Sequence, residues 1–297
     1  MTMIIRFFSD FCDSQECKRL YEVRLCETYK TNHYGPDKDT YITTGEDYTH
    51  VIILNKAMPK IKSGIPKQNV IGLAFEPLPF LNLTREFVEY VVKNVSRYYI
   101  GDRINLPEQF VEGQSYMWHT VPSLKPQPQL EPQSNPQPKP KLMSIMCSQK
   151  IYAPGHRYRH ELVKAILALN LPVDIYGRGH VYYQNMHDPR IKGEFTELEP
   201  YEEYQFHIAI ENFESNHYFS EKIMNPLICN TTALYHGCRN IRNYFGDQLI
   251  VLTGDLRTDV DLIRQICTNP EKYRKTIHPE EVKNTIDLLK NIQTLFC

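Results

Sequence analysis

Lys222 and Arg159 each stand near the expected start of a helix that follows a strand, a place where a chain can hold an anion. A helix N-terminus offers unpaired N–H groups and the positive end of a dipole. A cation there is unfavourable by about 0.3–1 kcal/mol unless an anion or carboxylate lies close. Two such cations after neighbouring strands can converge on one pyrophosphate, the arginine by its planar fork and the lysine as a point charge. Arg157 competes with Arg159 for the role, although spacing to the strand at Val173 and to the apolar face of its own helix favours Arg159. Taken singly, Glu221 and Lys222 read equally well as solvated first-turn residues, and Arg159 as a surface arginine. The third group is Glu76, which follows an apolar run and precedes Pro77 and Pro79. Prolines stiffen that loop, so the carboxylate belongs at a strand end beside a crevice, where a general base can work. A plain loop cap is the competing reading.

These groups need elements to hold them. Phe206, Ile208 and Ile210 share one face of a period-two strand, His207 and Ala209 take the other, and the pattern ends in Glu211-Asn212. A polar loop is expected over residues 213–217, then a helix that Ser220 can cap. Pro226 would break a long helix begun at Ser220, which leaves Asn225 as a candidate cap of a second one. Upstream, KLMSIMCS reads as a strand, QKIYAPGHRY as a loop, and RHELVKAILALN from Arg159 as a helix whose Leu162, Ala165, Ile166 and Leu169 form one face. VDIYG is the strand behind it. Downstream, LIVLTGD reads as a strand and DLIRQI from Asp261 as a helix. Asp259-Val260-Asp261 has the Asp-x-Asp form of a metal–nucleotide site, but aspartates so near a helix start read as caps and first-turn residues. In the first half, HVIILN and NVIGLAFE are strand-like, Phe87, Val88, Val91, Val92 and Val95 recur at helical spacing, and RYYIGD resumes a strand. Strand, helix, strand implies a parallel sheet.

Bulk properties narrow the class. A chain of 297 residues can bury a large core, and its length suggests two domains. A net charge of −1 leaves no basic footprint for nucleic acid or an anionic membrane. The eight cysteines lack the CxxC pairs of zinc or redox motifs and read as mostly free thiols of an intracellular protein. The N-terminal apolar run is broken by Arg6 and is too short for a signal or a membrane span, so a cytoplasmic location is expected. Asn82, Asn94 and Asn230 fit the glycosylation pattern, which matters only in a secreted chain. Residues 125–141, KPQPQLEPQSNPQPKPK, cannot bury a core and read as an extended linker. The expected domains are therefore 1–124 and 142–297. Tyr116, Trp118 and His119 just before the linker read either as interface or as core.

The run Tyr-x-Phe-x-Ile-Ala-x-Glu-Asn from Tyr204, followed by Tyr-x-Ser-Glu-Lys-Ile from Tyr218, resembles the signature of the α1,3/1,4-fucosyltransferases, glycosyltransferase family ten. RHELVKAI, VDIYG and ALYHG resemble further blocks of that family, so the resemblance covers most of residues 142–269, and the first half is similar more loosely. It departs from the family at Ala233, where proline is usual, and at Phe213, often Ser or Thr. The missing anchor resembles bacterial and large-virus members. The resemblance implies an α/β protein of two Rossmann-like lobes facing each other across a cleft, the GT-B type, with donor nucleotide in the second lobe and acceptor in the first. It implies an inverting, metal-independent transfer of fucose from GDP-fucose to a glycan hydroxyl, in α1,3 linkage, with no cofactor beyond the donor substrate. Arg159 and Lys222 would hold the diphosphate, Glu211 or Asn212 would shape the nucleotide crevice, Tyr218 would pack near the nucleoside, and Glu221 would hydrogen-bond the ribose. Glu76 resembles the proposed base. A different nucleotide-sugar donor, or a non-catalytic nucleotide- or glycan-binding module, are the alternatives.

Overall fold

The computed structural model describes residues 2–25, 33–35, 37–117, 139–196 and 198–296. Most of the expected linker, with Trp118 and His119, lies outside them. The chain divides into two compact units, the first made of Met1–Trp118, Ser215–Tyr218 and Asn284–Cys297, the second of His119–Glu214 and Phe219–Lys283.

In the first unit, β1 (Met3–Ser9), β2 (Thr40–Ile42), β3 (His50–Leu54), β4 (Val70–Leu73), β5 (Arg97–Ile100) and β6 (Phe110–Glu112) form a sheet ordered β2-β1-β3-β4-β5-β6, every pairing parallel. The apolar runs are continuous because both faces are covered. Ile52, Leu54, Ile71 and Leu73 pack with Leu288, Leu289, Ile292 and Leu295, while Val51, Ile53, Val70 and Tyr98 pack on the other side with Phe87 and Val91. The last fourteen residues thus belong to the first unit and not, as the 142–297 boundary has it, to the second. Their leucines and isoleucines complete one face of β3 and β4, and Tyr99 Oη donates to the Leu295 carbonyl at 3.1 Å. Tyr116 packs against this same core. The strand expected over residues 69–76 stops at Leu73, which leaves Glu76 half-buried in the turn before a short helix, Leu78–Leu81.

The second unit carries β7 (Lys141–Met146), β8 (Val173–Tyr176), β9 (Ile191–Gly193), β10 (Tyr204–Ser215), β11 (Thr232–Cys238) and β12 (Ile250–Val251), ordered β12-β11-β10-β7-β8-β9. The pairs β10–β7, β7–β8, β8–β9 and β11–β12 are parallel. From β7 the chain first moves outward through β8 and β9, then returns to β10 on the other side of β7. The order reverses between β7 and β10, and ligands of open α/β sheets bind outside the carboxyl ends of the strands at such a reversal. Phe206, Ile208 and Ile210 share a core with Leu162, Val163 and Ile166 of the helix Pro154–Ala168 and with Val260, Ile263 and Ile266 of the helix Leu256–Thr268. His207 on the opposite face is buried against Ser144, whose hydroxyl lies 2.8 Å from Nδ1, and burial pushes its pKa down to about 3. It is a core histidine.

Several boundaries differ from the sequence reading. β10 runs three residues past Asn212, and Glu214 reaches across to His236 of β11 at 3.3 Å. The helix expected to begin at Arg159 begins at Pro154, whose fixed φ and missing N–H suit the first helical position. Pro226 does not end its helix, which runs from Glu221 to Ile228 with residues 223–228 all buried; packing of Ile223, Met224, Leu227 and Ile228 offsets the lost hydrogen bond. The last long helix starts at Leu256, capped by Asp255, five residues before Asp261. Among the described residues no helix is long and apolar enough to cross a membrane, and the six described cysteines form no disulfide.

Candidate active site

At the carboxyl end of β10, consecutive residues point to opposite sides of the sheet. Asn212 continues the Phe206, Ile208, Ile210 face, toward the helix Pro154–Ala168, and its Oδ1 accepts from Arg159 Nη2 at 2.5 Å. Glu211 takes the other side, toward the helix Glu221–Ile228, and its carboxylate accepts from Ser220 N at 2.8 Å and Ser220 Oγ at 2.9 and 2.8 Å. The dipeptide that closes the strand pattern touches both helix N-termini expected to carry cations.

Arg159 is the sixth residue of its helix, not the first. Long helical side chains lean toward the N-terminus, and the Arg159 guanidinium reaches back to donate from Nε to the Gly155 carbonyl at 3.2 Å. The group is buried, with 5% of the residue exposed. Arg157 instead donates to the Tyr152 carbonyl at an exposed position, which decides between the two arginines for the interior role.

Lys222 lies in the first turn of the second helix, behind the cap Ser220. Its ammonium donates to Ser220 Oγ and Glu221 Oε1, both at 3.0 Å, and lies 3.5 Å from Glu211 Oε2. Burial works against the charge, but the carboxylates of Glu221 and then Glu211 outweigh it and raise the lysine pKa, with Arg159 opposing from nearby. Glu221 is driven the other way: burial would raise its pKa, and Lys222 lowers it to a net depression. The Glu211 carboxyl has no exposed side-chain surface, and burial raises its pKa against the pull of Lys222. Glu211 therefore cannot itself line an open crevice.

Two glycines make this packing possible, and nothing in the sequence pattern marks them. A Cβ on Gly155 would meet the Glu211 carbonyl oxygen at 1.8 Å, and one on Gly237 would meet Glu211 Cγ at 2.5 Å. Gly237 also has φ +154, where side chains are strained. His156 is a further residue the sequence reading passed over. It is 3% exposed, and its pKa falls to about 4, chiefly through burial and then through Arg159, Lys150 and Lys222. One imidazole feels three cations, so positive charge is concentrated at the reversal between β7 and β10. A pyrophosphate suits that field.

Tyr218 is buried within the first unit, and Glu76 belongs to that unit as well. Asp259 carries no open metal-binding carboxylate: Thr253 N and Oγ1 and Gly254 N donate to it at 2.8–2.9 Å, and Tyr158 Oη at 2.5 Å. It ties down the loop before its helix, while Asp261 pairs with Arg264 on the surface. The cap is Asp255, so the expectation that Asp259 and Asp261 cap the helix is corrected, while Asp259 does lie in its first turn.

Comparison with known proteins places this unit. Residues 136–275 match the family model described as glycosyltransferase family 10 (fucosyltransferase) C-term. A "Putative fucosyltransferase" of Acanthamoeba polyphaga mimivirus is 33% identical over 84 residues, 27% of this chain and 14% of the length of that relative. Among solved structures, an α1,3-fucosyltransferase with GDP-fucose superposes over 99% of this chain and 90% of its own, with a TM-score of 0.52 and 11% identity. Anabaena HepE in complex with UDP-glucose superposes over 99% and 98%, with a TM-score of 0.56 and 12% identity. These structural matches share the two-sheet GT-B fold.

Proposed function

We propose, from the match of residues 136–275 to the family model of glycosyltransferase family 10 (fucosyltransferase), that the chain transfers fucose from GDP-fucose to a hydroxyl of a glycan acceptor. The observation that carries the reading is the pair Arg159 and Lys222, the one reaching back to its helix N-terminus from the sixth position and the other in the first turn of the next helix, both at the β7–β10 reversal inside the matched stretch. As the bond between the sugar and the diphosphate breaks, negative charge grows on the leaving group. Fixed cations and helix N–H groups stabilise that charge without reorganising. Arg159 and Lys222 thereby take the part a divalent metal plays elsewhere, and the reaction needs none. Glu221, 39% exposed at its side chain, offers carboxylate oxygens to the ribose hydroxyls, and Tyr218 packs near the nucleoside. Glu76 removes the proton of the attacking hydroxyl, a step to which a placed carboxylate contributes about 10²–10⁴-fold. Attack opposite the departing phosphate inverts the anomeric centre and gives an α linkage, α1,3 by family likeness.

Thermal-shift titration tests the donor site. GDP and GDP-fucose at 100 times their dissociation constants should each add about 2.7 kcal/mol of stability, unchanged by EDTA and weakened in Lys222→Met. Indifference to guanine nucleotides, or a response to UDP-glucose alone, would overturn the fucosyl reading.

A further inference from the structure

The Glu211-Asn212 dipeptide sits against both cation-bearing helices, yet the Glu211 side chain is closed off by Gly237 and Ser220. We infer that Glu211 and Asn212 are paired positioning residues, each setting the one cation on its own side of the sheet, with the buried Glu211 carboxylate out of contact with the donor. The inference rests on the donor-site reading above and assigns these residues a different task within it.

The argument on the Glu211 side turns on one hydroxyl. Ser220 Oγ has a single proton to donate and two lone pairs with which to accept. Glu211 takes the proton, its two oxygens lying 2.9 and 2.8 Å from Oγ. The lone pairs must then turn toward Lys222, and both its backbone N at 3.4 Å and its Nζ at 3.0 Å point at that oxygen. The carboxylate thus decides which way the cap faces, and the cap holds the ammonium at the helix start. A glutamine in place of Glu211 presents an amide that can itself donate to Oγ, which would turn the hydroxyl around and set the lysine loose.

On the other side, Asn212 Oδ1 accepts from Arg159 Nη2 at 2.5 Å, while Nε is anchored on the Gly155 carbonyl. Two hydrogen bonds from different nitrogens fix the plane of the fork. Because neighbouring strand residues diverge, the two holds are mechanically separate: Glu211 acts through Ser220 on Lys222, and Asn212 directly on Arg159.

Separate holds predict a pattern of coupling that a general structural role would not. GDP binding is measured by titration calorimetry on the full chain for Glu211→Gln, Asn212→Ala, Lys222→Met, Arg159→Met and the four cross-combinations of a holder with a cation. Glu211→Gln should weaken GDP about tenfold in the wild-type background and less than about twofold once Lys222 is methionine, since its effect passes through that lysine. Asn212→Ala should behave likewise with Arg159→Met. The crossed pairs, Glu211→Gln with Arg159→Met and Asn212→Ala with Lys222→Met, should multiply. Ser220→Ala, which leaves Glu211 in place, should show the Lys222-dependent loss, and Ser220→Thr should restore affinity; this pair decides the matter if Glu211→Gln does not fold. Equal losses in both backgrounds, or coupling in all four combinations, overturns the inference while wild-type binding keeps the donor site. A folded wild type that does not bind GDP overturns both.

Discussion

Gly155→Ala is the change that separates the packing argument from ordinary helix behaviour. Gly155 is the second residue of the helix Pro154–Ala168, and in an exposed helix alanine would stabilise by about 1 kcal/mol. Here the added Cβ would sit 1.8 Å from the Glu211 carbonyl oxygen, 2.9 Å from its carbonyl carbon and 3.1 Å from the Asn212 carbonyl carbon. All three are backbone atoms of a central strand, so no side chain can swing aside. The helix start must move by roughly an ångström or more, and overpacking of this kind costs about 1–3 kcal/mol. Taking the upper end and subtracting the propensity gain leaves a net loss of about 2 kcal/mol, or about 4–8 °C in melting temperature for a unit of this size. The same movement drags Arg159 off Asn212, so GDP affinity should fall along with stability. Urea unfolding followed by far-ultraviolet circular dichroism gives the first quantity and calorimetry the second. A variant that is more stable than the wild type, or equally stable with unchanged GDP affinity, would refute the close approach of helix and strand on which the site is built.

Three further outcomes follow from the site. Lys222→Met should lower GDP affinity by about 10–100-fold, the worth of about 1.5–3 kcal/mol for a hydrogen bond from a charged group, and calorimetry at two salt concentrations should show the remaining affinity less salt-sensitive. Glu76→Gln should leave GDP affinity within twofold and cut the transfer rate by about 10²–10⁴-fold; a rate within threefold of wild type removes Glu76 as the base. His156, unfolded, takes a proton near its ordinary 6.5 and, folded, only near about 4. The unfolded state holds more protons between those values, so stability falls as pH drops from 6.5 to 4, by up to about 3 kcal/mol from this group. His156→Gln should flatten that part of the stability profile in urea titrations, and an unchanged slope would show that the imidazole is not held neutral.

Much of this was legible in the residues because local chemistry decides it. Ser220 was readable as a cap since a hydroxyl before an acidic first turn suits the free N–H groups of a helix start, and the structure has it there. The face of Phe206, Ile208 and Ile210 was readable from alternation alone, and the core confirms it. What alternation does not carry is who stands opposite. β10 outlasts its polar ending because Glu214 finds His236 on the neighbouring strand, and Pro226 stays helical because its flanking residues are buried on all sides. The apolar pattern, which begins at Leu162, puts Arg159 at a helix start, whereas the turn before it is set by Pro154 and by the contact of Gly155 with Glu211. The return of residues 284–297 to the first unit depends on contacts nearly two hundred residues apart in sequence, beyond the reach of any local signal.

The residues that the family signature makes conspicuous are not all the residues that would meet the ligand. Consecutive strand residues aim to opposite faces, and at this pair in β10 both side chains are spent on neighbouring helices: Glu211 on the Ser220 cap, Asn212 on the Arg159 fork. The groups left to face an anion are those the dipeptide holds, on helices whose own N-termini carry the complementary field. This division has a physical logic. A buried carboxylate beside a diphosphate would repel it, yet at one remove, behind a serine hydroxyl and opposite an ammonium 3.5 Å away, the same charge keeps the lysine protonated and in place. Glu211 is therefore tolerable at the centre of the proposed anion site only because Gly237 and Ser220 close over its side chain. Loosening either of the two should bring its charge nearer the ligand and weaken binding.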